Sequence, residues 1–365
     1  MKYEQRLKKL QRLLKEKKCD ALYVDDAVNL FYLTGIQLSA GVLLAHAKGA
    51  FLLVDGRYIE MCKKLSPFPV ILTNQFMKSL AELISNECKF ISRLAFNSEN
   101  TSYKSYLLLE KCLAEISSKL ELVALDNPVK QLRSIKDKNE IALLRDAAAL
   151  GSKGFDYACQ CLKEGITEVE VASELEIFWK RLGSKGLAFD PIIAFGSNSS
   201  MPHYRAGDAK LKKGDTVLID IGVNFEHYNS DMTRVVYFKK ADPKILEIHE
   251  IVEKAQAKAL ALCRPGVLIG DIDRAAREFI QKKGFGEYFN HGLGHGVGLE
   301  IHEWPVIKNI DPWKEIPLEE GMVITIEPGI YLPNHGGVRI ENTVVITKEG
   351  YEDFTKRNTK PVVIN

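Results

Sequence analysis

Four carboxylates stand where apolar strands would carry hydrophobic side chains. In "TVLIDIGVNFEHYNSDMTRVVYF", Asp220 follows Val217, Leu218 and Ile219 and precedes Ile221, while Asp231 opens the next apolar run after a polar turn. Near the end of the chain, "VITIEPGIYL" sets Glu327 after Ile326, and "GVRIENTVVIT" sets Glu341 after Ile340 and ahead of Val344, Val345 and Ile346. A carboxylate buried among such residues is strongly unfavourable unless a cation meets it. Taken singly, each acid has a plain explanation, as a turn cap or as an acid at a strand end or sheet edge. Together, their four negative charges match two divalent cations held about 3.5–4 Å apart by shared carboxylates. Asp220 and Asp231, on either side of one turn, are expected to meet side by side across a hairpin ladder.

The stretch "FNHGLGHGVGLEIHE" holds His291, His295 and His302, three of only eight histidines in the chain. It is the natural source of an imidazole for such a site. Competing motifs fail on spacing. "HEWPV" is not HExxH, because Val306 takes the place of the second histidine. "GLGHGVG" does not match GxGxxG, and GxSxG is absent. The glycines Gly292, Gly294, Gly296 and Gly298 are expected to give clearance to a substrate, with a crowded, bent strand as the structural alternative. His227, His249 and His335 group with none of the acids and are expected in surface or loop positions.

Several elements must position these residues. Residues 20–125 alternate short apolar runs, "ALYV", "GVLLAH", "AFLLVD", "PVIL" and "RLAF", with helical patterns at 78–88 and 103–120. That is an α/β domain, with a boundary near Pro128 in a stretch of turn residues followed by dense charge. Next come helical patterns at 136–163 and 168–182, the strands "PIIAFG", "DTVLIDIG" and "TRVVYF", helices at 243–263 and 270–283, and a strand-rich end. Helix, helix, strand hairpin occurs twice in that order, as an internal duplication would produce. The net charge of +2 offers no argument for nucleic acid or a membrane surface. The N-terminal leucines Leu7, Leu10, Leu13 and Leu14 fall at helical spacing among basic residues, which argues against a secretory signal. Seven scattered cysteines without CxxC read as reduced thiols of a cytoplasmic protein.

As a set, the spacing from Asp220 to Asp231, "HGLGHGVGLEIHE", "IEPGIY" and "GVRIEN" resemble the pita-bread metallopeptidases, and among them the Xaa-Pro peptidases. The resemblance covers essentially the whole chain. It implies a creatinase-type α/β N-terminal domain, 1–127, and an α+β pita-bread catalytic domain, 128–365. It implies metal ligands at Asp220, Asp231, His295, Glu327 and Glu341. It also implies that His203, His291 and His302 handle substrate, and that Tyr331 and Arg339 stand near the metals or on the substrate side. Two divalent ions, manganese first, with cobalt, iron or zinc as other occupants, suit this oxygen-rich donor set. A homodimer is the expectation for assembly.

The expected reaction is hydrolysis of the bond between an N-terminal residue and a following proline. The attacking water is acidified by the metal pair. Glu327 shuttles its proton and His302 helps to stabilise the oxyanion. His203 and His291 position the proline side. Within the family, a dipeptidase needs a cation for the product-side carboxylate, and similar dipeptidases carry an arginine shortly after the residue matching His302. Here the segment reads "EWPVIKNI", with only Lys308. The expectation is therefore a Xaa-Pro aminopeptidase, with the Xaa-Pro dipeptidase as alternative. A non-catalytic scaffold is a distant third, since all five ligand positions are filled.

Overall fold

A computed structural model describes residues 2–116 and 120–365. The chain divides into two compact units, residues 1–133 and 134–365.

In the first unit a six-stranded sheet runs, edge to edge, Val70–Leu72, Gly49–Val54, Val42–His46, Ala21–Val24, Arg93–Asn97 and Glu121–Leu125. All five apolar runs named above are in it. The sixth strand, Glu121–Leu125, is not foreseen. It sits at the edge, paired in parallel with Arg93–Asn97, and its side chains are half-buried or exposed, so it lacks a strong apolar pattern. Helices Phe76–Asn86 and Tyr103–Ile116 cover two of the expected helical stretches, and residues 117–119 of the second lie outside the described residues. The N-terminal helix Lys2–Glu16 buries Leu7, Leu10 and Leu14 together with Arg6, and turns Lys8, Lys9, Arg12 and Lys15 outward. Pro128 falls inside this unit, just before the short helix Lys130–Ser134.

The second unit starts its helices with strong local signals. Asp137 and Glu140 form a reciprocal capping box at the start of Lys138–Cys161, and Thr167 and Glu170 do the same for Glu168–Arg181. Asp242 caps Pro243–Leu260, with proline in the first helical position, where its missing N–H costs nothing. A four-stranded sheet runs Val363–Ile364, Met232–Phe238, Thr216–Ile221, Ile192–Phe195. A five-stranded sheet runs Glu303–Ile307, Gly294–Gly296, Val323–Ile326, Asn342–Ile346, Tyr351–Asp353, and Gly329–Leu332 pairs with Gly336–Arg339. The helices Pro243–Leu260 and Ile269–Lys282 close the core over these strands, Ile245, Ile248, Val252, Ile272 and Ile280 joining Ile324, Ile326, Ile340 and Val344 in one cluster. No helix among the described residues is long and apolar enough to cross a membrane.

His249 departs from the expected surface or loop position. It lies on the helix Pro243–Leu260 and is 1% exposed. Its Nε2–H donates to the Thr359 carbonyl and its Nδ1 accepts from the Tyr237 hydroxyl, both at 2.7 Å, so the ring is a neutral tautomer with both nitrogens satisfied. Burial holds its pKa below the usual histidine value, against the Thr359 hydrogen bond and Glu253 and Glu250, which raise it. The unfolded chain therefore takes up this proton before the folded one, and the stability this residue provides is lost as pH falls below about 6.5. Urea unfolding at pH 7.5 and 5.5 should show a smaller loss on acidification for His249→Gln than for the wild type. An equal loss in both proteins would show that His249 titrates alike in the two states.

Candidate metal centre

The hairpin register places the first pair of acids. Asp220 lies opposite Thr233, not opposite Asp231 as its hairpin position suggested. Asp231 sits two residues before Thr233 and is thus a diagonal neighbour of Asp220 on the same face. The second pair leaves its ladder together. The ladder ends with Ile326 opposite Asn342, and Glu327 and Glu341 are the next residues on each chain. There the backbone changes partners: the Glu327 N–H donates to Leu293 O at 2.8 Å and the Glu341 N–H to Thr233 O at 3.2 Å. Those two bonds tie the acid-bearing strands to the His295 segment and to the Asp231 strand.

His295 enters between them. A β-bulge falls between His295 and Gly296, a distortion that re-aims a side chain. Its Nδ1–H donates to Gly296 O at 3.0 Å, which leaves Nε2 as a free lone pair. That Nε2 lies 3.5 Å from Asp231 Oδ2 and 3.4 Å from Glu327 Oε1. Donor atoms of Asp231, His295 and Glu341 all lie within 4.8 Å of one another. Asp220, Asp231 and Glu341 are 8%, 4% and 2% exposed.

So many buried acids disturb one another. Burial, then Glu341 and Asp220, push Asp231 well above the carboxylate range. Burial and Glu341 do the same to Glu327, and burial with Asp220 takes Glu341 up to about 8. His295 moves the other way, down to about 3, through burial and the nearby His302. Asp220 Oδ1 is buried and has no hydrogen-bond partner among the described residues. Hard carboxylate oxygens, one orphaned acceptor and one imidazole lone pair aimed at them form a donor set that fits divalent cations.

Arg339 brings a positive side chain onto the carboxylates of this cluster. Its NH2 donates to Asp220 Oδ2 at 2.5 Å, its Nε to Thr233 Oγ1 at 3.1 Å and its NH1 to the Tyr331 hydroxyl at 2.8 Å. Tyr331 in turn donates to His291 Nε2 at 2.9 Å, and His291 Nδ1–H donates to Gly292 O at 2.6 Å. The chain from Asp220 to His291 is thus fixed in one proton arrangement. Tyr331, pushed up to about 12 chiefly by burial, keeps its proton, and His291, pushed down to about 3 by burial and Arg339, stays neutral. Both His291 nitrogens are engaged, which leaves its ring surface to face a ligand. With Asn290, Ser200, Met201, Pro202 and His203 it lines a cavity of about 460 Å³. His302 is exposed and stands edge-on to His295, with ring centroids 4.3 Å apart. Partial desolvation and then His203 lower its pKa, and His203 also bears on His291, with which it shares the cavity.

Sequence reasoning missed the residues that hold this arrangement. Thr233 Oγ1 donates to Glu341 Oε2 at 2.8 Å, and Thr325 Oγ1 reaches Glu327 Oε1 at 3.3 Å. Glu168, fully buried, accepts from Phe195 N, Asn198 Nδ2, Tyr204 Oη and Gly207 N at 2.7–3.1 Å and so pins the loop that carries His203. Lys136 and Glu303 form a buried ion pair at 3.2 Å next to His302. In sequence, Glu168 looks like any first-turn acid of a helix, and Lys136 like part of a charged linker.

The glycines also require correction. Gly294 and Gly296 answer to crowded strands, the structural alternative, whereas Gly292 is not crowded. A Cβ on Gly294 would lie 2.0 Å from Thr325 O, and one on Gly296 2.4 Å from Trp304 O. On Gly292 the nearest atom, Ile307 O, is 3.4 Å away. Gly294→Ala should therefore cost about 1–3 kcal/mol of unfolding free energy through overpacking, and Gly292→Ala much less. Denaturant unfolding of the metal-free proteins separates the two, and equal costs would return the glycines to a substrate-clearance role.

Comparison with known proteins agrees with this frame. Residues 142–348 match the model of metallopeptidase family M24, and residues 6–135 match the creatinase/prolidase N-terminal domain. A Xaa-Pro dipeptidase of Pyrococcus furiosus is 40% identical over 97% of this chain and 98% of its own length. Among solved structures, a Xaa-Pro dipeptidase from Bacillus anthracis superposes with a TM-score of 0.94 at 31% identity, covering 99% of this chain and 100% of its own. An X-Pro aminopeptidase from Thermotoga maritima gives 0.87 at 33% identity, covering 97% of this chain and all of its own. A whole-chain relative at 40% identity and family models spanning both units leave one assignment: the chain belongs to metallopeptidase family M24, a family of hydrolases that work with divalent metal ions.

Proposed function

We propose that this protein is a metal-dependent Xaa-Pro dipeptidase, which splits a two-residue peptide before its proline. The observation that carries the reading is the convergence of Asp231, His295 and Glu341 donors within 4.8 Å, with Glu327 and Asp220 adjoining, in a chain 40% identical to a Xaa-Pro dipeptidase along its length. This reverses the preference for an aminopeptidase. That preference rested on the missing arginine, but one absent arginine is not an absent cation. Val306 lies opposite His295 in the ladder, and Lys308 is the first residue past the end of that strand. Lys308 is our candidate for the product-side carboxylate.

Asp220, Asp231, His295, Glu327 and Glu341 would hold the ions, with manganese as the first choice for so oxygen-rich a set. When bound, such a pair supplies Lewis acidity for the scissile carbonyl and lowers the pKa of water toward neutrality. The protein does the rest. Glu327 Oε1, beside His295 Nε2, is the site that accepts a proton from the attacking water and returns it to the leaving proline nitrogen. His302, at the exposed edge of the cluster, offers an N–H to the developing oxyanion. His203 and the ring of His291 wall the cavity for the proline. Tyr331 and Arg339 hold Asp220 and His291 in place. The seven cysteines are free thiols, which suits a cytoplasmic protein.

The test uses metal-stripped protein. Added Mn²⁺ should restore cleavage of Ala-Pro, with Ala-Pro-Ala cut at least about tenfold more slowly. Efficient cleavage of the tripeptide alone would make the protein an aminopeptidase. Asp231→Asn and Glu341→Gln should both lose bound metal and drop kcat by at least about 10²-fold. Full activity in either variant would remove that residue from the ligand set.

A further inference from the structure

Gln256 is a buried amide that the chemistry above does not use. It lies on the helix Pro243–Leu260, 2% exposed, among Val252, Ala255 and Ala259 on the face that closes the core. A polar side chain in such a place is costly unless it is hydrogen-bonded. Its Nε2 donates to Ile326 O at 3.0 Å and to Ile340 O at 2.9 Å, with Asn342 Oδ1 3.4 Å away. An amide NH₂ has two hydrogens, so two carbonyls saturate it. Those two carbonyls belong to the residues immediately before Glu327 and Glu341.

The position matters because both chains change course there. The ladder between them ends at Ile326 and Asn342. Beyond that point each acid's N–H turns to a different strand, Glu327 to Leu293 O and Glu341 to Thr233 O. Gln256 grips both backbones from the opposite side, one peptide before each carboxylate. Arg234 completes the clamp on one of them, donating to Glu341 O and, at 2.8 Å, to Asn342 Oδ1. A single side chain on a helix thus bridges the two backbones one residue before each glutamate, where their shared ladder ends.

We propose that Gln256 is a positioning residue for the metal pair, setting the spacing of Glu327 and Glu341 and through it the affinity for divalent ions. The proposal rests on the ligand assignment made above. Partners that orient metal ligands typically contribute about 10–100-fold in affinity, and that is the loss expected here.

The experiment titrates Mn²⁺ into metal-free wild type, Gln256→Leu and Gln256→Met by calorimetry, and follows thermal unfolding of the same metal-free proteins. Co²⁺ absorption reports ligand geometry independently of activity. Expected are about tenfold or greater weakening of Mn²⁺ binding and an altered Co²⁺ spectrum in folded variants. A merely structural glutamine would lower the metal-free unfolding midpoint while leaving affinity and spectrum at wild-type values, and that result overturns the proposal. Methionine keeps the unbranched length of glutamine, so it decides the question should the leucine variant fail to fold. Failure of the wild type to bind Mn²⁺ would instead remove the ligand assignment, and this inference with it. Wild-type affinity in the variants removes the inference alone.

Discussion

The mutual repulsion of buried carboxylates is the constraint on which the rest of the second unit depends. Two like charges 4 Å apart oppose each other by about 4 kcal/mol at an effective dielectric constant of 20. Asp220, Asp231, Glu327 and Glu341 share one interior, where Arg339 pairs with the Asp220 carboxylate and Arg234 reaches the Glu341 backbone carbonyl. The upward pKa shifts of Asp231, Glu327 and Glu341 express what remains uncompensated. A cation pair reverses that direction, because opposite charge favours the ionised form. Metal binding and the stability of the folded acids are therefore one equilibrium seen from two sides.

Such repulsion is held only by a backbone that cannot relax away from it. Each acid is borne by a strand, or by the first residue beyond one, and each pair of strands is cross-linked by other strands or by side chains. Thr343 Oγ1 donates to Asp231 O, Thr233 Oγ1 to Glu341, and Arg339 spans Asp220 and Thr233. The close strand approach at Gly294 and Gly296 belongs to the same logic: His295 reaches the acids because its strand lies against Thr325 and Trp304 too tightly for any Cβ. The bulge at His295 then turns the ring inward.

These features explain what was legible in the sequence. The acids stood out because charge inside an apolar run violates a strong pattern, and the helices stood out because apolar periodicity is local. The edge strand Glu121–Leu125 was illegible because half of its surface stays solvated. Register was illegible as well: a hairpin with a long polar turn does not reveal whether Asp220 faces Asp231 or Thr233. Glu168, Gln256, Lys136 and Glu303 were missed for a common reason. Their roles exist only through partners 27 or more residues away, and in one dimension each is an ordinary polar residue. His249 shows the converse error, a histidine without sequence company that proves fully buried.

The frame itself does not choose between dipeptides and longer peptides, since a dipeptidase and an aminopeptidase both superpose on it along nearly the whole chain. Selectivity must then arise from side chains around the centre and not from the frame. Glu303, the residue after His302, is pinned from behind by Lys136 and accepts from the Glu300 N–H at 3.1 Å. Glu168 pins the loop of His203 through four donors. With both histidine-bearing segments anchored away from the cavity, side chains such as Val306 and Lys308 can change charge and size while His203 and His302 keep their places. On the proposed reading, a lysine two residues beyond Val306 does the work of an arginine there. It does so as a mobile point charge and not as a rigid fork, so it trades geometric strictness for reach.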